Sequence, residues 1–187
     1  TAVKIGKLTL DVAAGRFQTG PEEPRFKSRR FFAMFEFTDE LRLRAGRFMP
    51  NYGVNIAEHI AVTRRGLDFD QGKEYKALEF SRIGETWNFY LTLVKGPVET
   101  PEALQESGVT SQLSYNFLDT HKVGVNGWSG STNTTCRRLA GVFANLGFSE
   151  RFHVLSEADW RWTTVKASDS NQTGFFNYNR ASYELVR

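Results

Sequence analysis

Apolar and polar residues alternate with a period of two along most of this chain. Between positions 77 and 94, Leu78, Phe80, Trp87, Phe89 and Leu91 are interleaved with Glu79, Ser81, Asn88, Tyr90 and Thr92. From Val109 to Phe117 the alternation is cleanest: Val109, Leu113, Tyr115 and Phe117 share one face, and Thr110, Gln112, Ser114 and Asn116 the other. Successive side chains of a strand point to opposite sides, so the pattern predicts strands with one greasy face and one hydrogen-bonding face. About ten such strands are predicted: Lys4 to Phe17, Arg30 to Thr38, Leu41 to Phe48, Tyr75 to Arg82, Trp87 to Val94, Val109 to Phe117, His121 to Trp128, Cys136 to Leu146, Phe152 to Thr163 and Phe175 to Val186. Most approach the roughly ten residues with which a tilted strand crosses a bilayer.

The connections between these segments alternate in length. Asp39 with Glu40, Ile83 to Thr86, Leu118 to Thr120 and Gly147 to Arg151 are short and rich in Asp, Gly, Glu or Thr, as tight turns require. Gln18 to Arg29, Met49 to Glu74, Lys95 to Gly108 and Thr164 to Gly174 are long, with a shorter link at Ser129 to Thr135. A soluble sandwich has no reason to make every second connection short, whereas a membrane barrel has tight periplasmic turns and longer outer loops. The expected fold is therefore an all-β, antiparallel, up-and-down transmembrane β-barrel forming a single domain over 1–187, either closed by its roughly ten strands or part of a larger barrel that continues past the C-terminal end. Helix is expected only at Pro101 to Glu106 within a loop and as a turn near Ile56 to Ile60.

Composition sharpens this reading at three points. A mean hydropathy of −0.43 would ordinarily indicate a soluble protein, but a barrel with a wet interior needs only every second strand residue to be apolar. No stretch approaches the roughly 18 apolar residues of a spanning helix. The charge of +3 is spread over scattered pairs such as Arg29 with Arg30 and Arg64 with Arg65, without the basic stripe and aromatic platforms of a nucleic-acid surface. The single Cys136 offers no internal disulfide and no thiolate metal cluster, and is expected to be buried or lipid-facing. The chain opens at Thr1 without a charged-then-apolar leader, as a mature exported chain or an excised fragment would.

With the apolar face outward, the lumen is expected to receive Lys7, Thr9, Asp11, Glu36, Arg42, Arg44, Glu79, Tyr90, Thr92, Gln112, Asn116, Lys122, Asn126, Glu157, Asp159, Arg161, Arg180 and Glu184. Both signs are present, and facing rows of opposite charge would order water and favour polar solutes. The competing expectation is that these charges pair and fill a solid barrel. Phe31, Phe48, Tyr52, Trp87, Trp128, Phe148, Phe152, Trp160, Trp162, Phe175 and Phe176 lie near strand ends, where aromatic girdles belong. The longest link, with Arg64, Arg65, Asp68 and Asp70, is a candidate constriction loop folded into the lumen, against the alternative of a solvated surface loop.

The sequence contains no Gly-x-Ser-x-Gly elbow, and His59, His121 and His153 are far apart. Only His59, in a long link near Asp68 and Asp70, would meet acids at the outer rim. Asp68, Asp70 and Glu74 lack a full calcium ligand set. No catalytic residue, metal or cofactor is expected.

The run LRLRAGRFMPNY from Leu41 to Tyr52, the stretch VTRRGLDFDQGKEYKALEFSRIGE from Val62 to Glu85, and GVFANLGFSERFHVLSEADW from Gly141 to Trp160 resemble Gram-negative porin-like outer-membrane proteins. The resemblance implies a bacterial outer-membrane pore for passive diffusion of small polar solutes or ions. Outer-membrane lipid, and a homo-oligomer or envelope complex, would be its partners. Such barrels usually end in a strand with a terminal aromatic residue, whereas this chain ends in Val186 and Arg187. Two other readings stay open: a non-conducting barrel that anchors an envelope assembly, and a soluble all-β binding protein.

Overall fold

The computed structural model describes residues 2–17, 25–54, 67, 74–96, 100–101 and 104–185, with side chains described for all of these except 15–17 and 25–29. Eleven strands follow one another: β1 (Ala2–Ile5), β2 (Leu8–Phe17), β3 (Arg25–Glu36), β4 (Leu41–Phe48), β5 (Tyr75–Ile83), β6 (Trp87–Gly96), β7 (Glu106–Phe117), β8 (His121–Ser131), β9 (Thr135–Ser149), β10 (Phe152–Val165) and β11 (Ser170–Tyr183). They form one sheet in strict sequence order, every neighbouring pair antiparallel. This is the up-and-down meander expected from the short turns. Among the described residues, β1 and β11 each have one neighbour.

The segment read as one strand from Lys4 to Phe17 is two strands. Gly6 and Lys7 form a two-residue turn, with Ile5 paired to Leu8 and Gly6 at φ 58°, where glycine meets the backbone demand of a tight hairpin without steric cost. Elsewhere the ladder outruns the apolar alternation. Ser170 pairs with Val165 and Thr173 with Trp162, so the long link expected from Thr164 to Gly174 shrinks to a turn at 166–169. Likewise Ser129–Ser131 and Thr135 belong to β8 and β9, and Glu106, expected in a loop helix, begins β7. Ladder bonds are made by backbone, so polar residues extend a strand wherever a neighbour offers its edge. Among the described residues of the expected helix, Leu104 N donates to Pro101 O at 2.8 Å in a single turn, and 56–60 lies outside the described residues. β11 ends at Tyr183 rather than Val186.

The pleat sorts side chains as the alternation demands. Val3, Leu10, Leu43, Leu78, Phe80, Leu91, Leu93, Leu113, Val125, Val142 and Trp160 share the outer face, and most are strongly exposed. The opposite face buries polar and charged groups: Glu79, Thr92, Thr110, Gln112, Asn126, Arg137, Glu157 and Asp159. A soluble fold buries its apolar side; this one is inside out, as a lipid-facing sheet must be.

On the outer face, rings form a continuous chain at the short-turn end. Trp87, Tyr115, Phe117, His121, Phe148, Phe152 and Tyr183 follow one another from β6 to β11 with centroids 4.6, 6.0, 5.2, 5.6, 5.6 and 6.5 Å apart. Toward the other end, Trp160 meets Phe175 at 5.1 Å, with Trp162 outward beyond them. The ten steps from Phe152 to Trp162 rise about 34 Å along the strand, or about 26 Å along the membrane normal at a tilt of about 40°, which matches the apolar band of an outer-membrane barrel. Four residues assigned to the girdles lie elsewhere. Phe48, Tyr52 and Trp128 are buried, and Phe176 packs against the interior cluster of Tyr52, Leu67, Tyr75 and Leu139. Their register places Phe48, Trp128 and Phe176 on the inner face, and strand-end position alone did not separate the two sides.

Candidate functional site

Inside the sheet, the segment after β4 crosses the polar face, and four consecutive residues are fixed to three strands. Asn51 Nδ2 donates to Glu79 Oε2 on β5 at 3.0 Å, and the Asn51 carbonyl accepts from Thr110 Oγ1 on β7 at 3.3 Å. Tyr52 Oη donates to Asp159 Oδ1 on β10 at 2.9 Å. The Gly53 carbonyl accepts from Gln112 Nε2 at 2.8 Å, and Val54 N donates to Glu157 Oε2 at 3.2 Å. β5 and β10 are five strands apart, about 24 Å across a flat sheet, yet adjacent residues of the segment reach both. The sheet therefore curls around this segment.

Two of the anchoring carboxylates, Glu79 and Asp159, are held by the wall as well. Glu79 receives Arg44 Nη2 at 2.7 Å and Thr92 Oγ1 at 3.0 Å, and the Arg44 guanidinium lies over Phe48, 3.8 Å from the ring centre. Asp159 also receives Asn126 Nδ2 at 3.0 Å. Glycines make the approach possible: a Cβ on Gly53 would sit 1.6 Å from Glu157 Oε1, and one on Gly141 1.9 Å from Asp159 Oδ1. Burial first, and then the negative charge of Asp159, push the Tyr52 phenol above its ordinary pKa and keep it a donor.

Farther toward the long-link end, Arg137 pairs with Glu106 (Nη2 to Oε2 2.5 Å, Nε to Oε1 3.1 Å) and Trp128 Nε1 adds a bond to Glu106 at 3.1 Å. The Arg137 guanidinium also donates to the carbonyl of Leu67, so the same link is tied to β9. Toward the short-turn end the interior stays open. A cavity of about 530 Å³ is lined by polar groups from Asn51, Tyr90, Gln112, Lys122, Asn145 and His153, with Val54, Phe143 and Leu155 at its side.

The residues read as lumen-facing fall on this one face. Thr9, Asp11, Glu36, Arg42, Arg44, Glu79, Tyr90, Thr92, Gln112, Asn116, Lys122, Asn126, Glu157, Asp159, Arg161 and Arg180 all share it by register. Many of their charges are paired: Lys4 with Glu36 at 2.6 Å, Arg30 with Asp11 at 2.9 Å, Arg42 with Glu36 at 3.8 Å. Lys122 makes no ion pair or hydrogen bond among the described residues and faces the cavity. Two assignments change. Lys7 sits in the first turn, its Nζ donating to the Phe37 carbonyl at 3.0 Å, and Glu184 lies past β11, exposed, its backbone N donating to Arg151 O at 2.9 Å. Arg64, Arg65, Asp68, Asp70 and His59 lie outside the described residues.

The described part of the link from Met49 to Glu74 lies against the polar face, and the sequence does not mark the residues that anchor it there. Asn51, Gly53, Glu106 and Arg137 were unassigned, and Tyr52 was placed in a girdle. The parity of Arg137, Leu139, Gly141 and Phe143 along β9 was a readable signal for Arg137. Nothing local marks the others, because their partners lie 22 to 107 residues away. No group of three metal-ligating side chains occurs among the described residues. None of their helices is long and apolar enough to span a membrane.

No protein-family model matches the chain, and no curated protein sequence does. Among solved structures, it is similar to OmpT with loop L8 deleted, an outer membrane protein of Vibrio cholerae. The TM-score is 0.60 at 10% identity, over 98% of this chain and 78% of that one. At that identity the likeness concerns fold. The architecture is that of a bacterial outer-membrane β-barrel, with the exposed apolar band as its lipid-facing surface.

Proposed function

We propose that this chain builds the wall and constriction of an outer-membrane pore for passive diffusion of small polar solutes or ions. The observation that carries the reading is the inward segment Asn51–Val54. It narrows the interior by binding Glu79, Gln112, Glu157 and Asp159, yet leaves a polar cavity of about 530 Å³ beside it. A barrel that served only as an anchor gains nothing from a narrowed, water-lined interior. Polar walls and a fixed constriction pass hydrated solutes and exclude apolar ones. Lys122 lines this cavity and makes no ion pair or hydrogen bond among the described residues, so it is the cation there whose charge a solute would meet.

Planar-bilayer recording on the refolded protein tests this. Wild-type protein is expected to conduct, and Lys122→Glu is expected to move the reversal potential in a salt gradient toward cation preference. Refolded protein that inserts without conducting would leave the anchoring role as the function.

A further inference from the structure

The outer face of β8–β10 is not a uniform lipid-facing wall. Small residues, Gly124, Ala144, Ser156 and Ala158, lie among Leu113, Val125 and Val142 beside the rings of Trp87 and Tyr115. The resulting concavity of about 600 Å³ is almost wholly apolar. A second one of about 640 Å³ adjoins it toward the long-link end, where the outward residues of β9 run on from Val142 to Ala140; its outward lining is Ala140, Ser129, Cys136, Arg138, Trp162, Thr164 and Asn171.

Arg138 is the unusual member. It points outward, directly opposite Trp162 on β10 and Ser129 on β8, and its guanidinium has no ion pair or hydrogen bond among the described residues. A cation on the lipid-facing side is costly at mid-bilayer and costs little near the interface, and Arg138 lies in the Trp162 row toward the long-link rim of the sheet. Thr164 Oγ1 donates to Asn171 Oδ1 at 2.7 Å, which leaves the Asn171 amide group and the Ser129 hydroxyl to donate beside Arg138. One end of the groove thus offers a guanidinium and neutral donors, and the other offers only carbon.

We propose that this groove binds a phospholipid with a net anionic headgroup. The phosphate sits on Arg138 with Ser129 and Asn171, and one acyl chain lies along Ala140, Val142 and Ala144. A guanidinium matches a phosphate with two parallel donors, stronger than the neutral bonds it replaces. The six steps from Arg138 to Ala144 run about 20 Å along β9, long enough to seat most of an acyl chain. This site is on the opposite side of the wall from the interior cavity and does not depend on conduction.

Native mass spectrometry of the folded protein released from detergent tests the site, with dioleoylphosphatidylglycerol as probe and dioleoylphosphatidylcholine as the neutral comparison. Wild type is expected to retain phosphatidylglycerol over phosphatidylcholine. Arg138→Gln is expected to retain about tenfold less, Arg138→Lys to keep much of the preference, and Ala140→Phe to lose retention by filling the groove while leaving the cation. Heat-modifiable gel migration confirms that each variant is folded. Equal retention by wild type and Arg138→Gln, no preference between the two lipids, or no effect of Ala140→Phe would each overturn the proposal. So would displacement of the lipid by millimolar sodium phosphate, which would make the site one for free phosphate.

Discussion

The phenol of Tyr52 donates to the Asp159 carboxylate at 2.9 Å across 107 positions of sequence. This bond ties the segment after β4 to a strand near the far end of the sheet, and with Asn51 on Glu79 it defines how tightly the sheet curls. Tyr52→Phe keeps the ring in its interior cluster and removes one donor from a buried carboxylate, which costs about 1–3 kcal/mol. The segment is expected to release more readily, seen as faster limited proteolysis between β4 and β5 and as larger, noisier single-channel conductance. Unchanged proteolysis would show that the other anchors suffice.

Backbone proximity makes Gly53 more sensitive than Gly6, although both have φ near +60°. A Cβ on Gly6 meets nothing within 4 Å, whereas one on Gly53 would collide with the Glu157 carboxylate. Gly6→Ala is expected to cost about 1 kcal/mol of left-handed strain. Gly53→Ala is expected to undock the segment, with a clear fall in the temperature at which the gel shift is lost. Similar effects of the two substitutions would contradict the close approach.

The pair between Arg137 and Glu106 should behave as a buried unit, since their side chains are 5% and 11% exposed. Arg137→Met alone leaves the carboxylate with the Trp128 indole and is expected to destabilise by about 3–5 kcal/mol. The double variant Arg137→Met with Glu106→Gln is expected to recover much of this. Thermal gel-shift midpoints of the two singles and the double measure the coupling, and simple additivity would refute it.

Tyr52 also predicts a pH limit. In the released segment the phenol ionises near its ordinary value of about 10, while in the docked state burial and Asp159 hold its pKa higher. Docking stability is therefore complete below about pH 10 and falls as pH rises beyond it, because only the released form can give up the proton. Proteolysis of the link should accelerate above that pH in wild type and not in Tyr52→Phe.

Some of this molecule was legible in the order of residues alone. Strand existence, the outward apolar face and the shared polar face follow from a period of two, a local property that each segment carries by itself. The first hairpin, which the single-strand reading of Lys4 to Phe17 misses, nonetheless has a signal in the sequence. The apolar parity moves from odd at Val3 and Ile5 to even at Leu8, Leu10 and Val12, and Gly6 sits at the break. Tertiary structure decided the rest. Ser170–Thr173 are strand because Thr163–Val165 and Trp162 offer them a ladder, which composition does not record. Phe48, Tyr52 and Trp128 face inward while Trp87 and Phe148 face lipid, although all are aromatic residues near strand ends. The segment Asn51–Val54 finds its anchors only once curling brings Glu79 and Asp159 within reach of two adjacent residues. Side-chain periodicity is set by backbone geometry and survives in any window of sequence, whereas contacts across several strands arise from sheet curvature, a property of all the strands together.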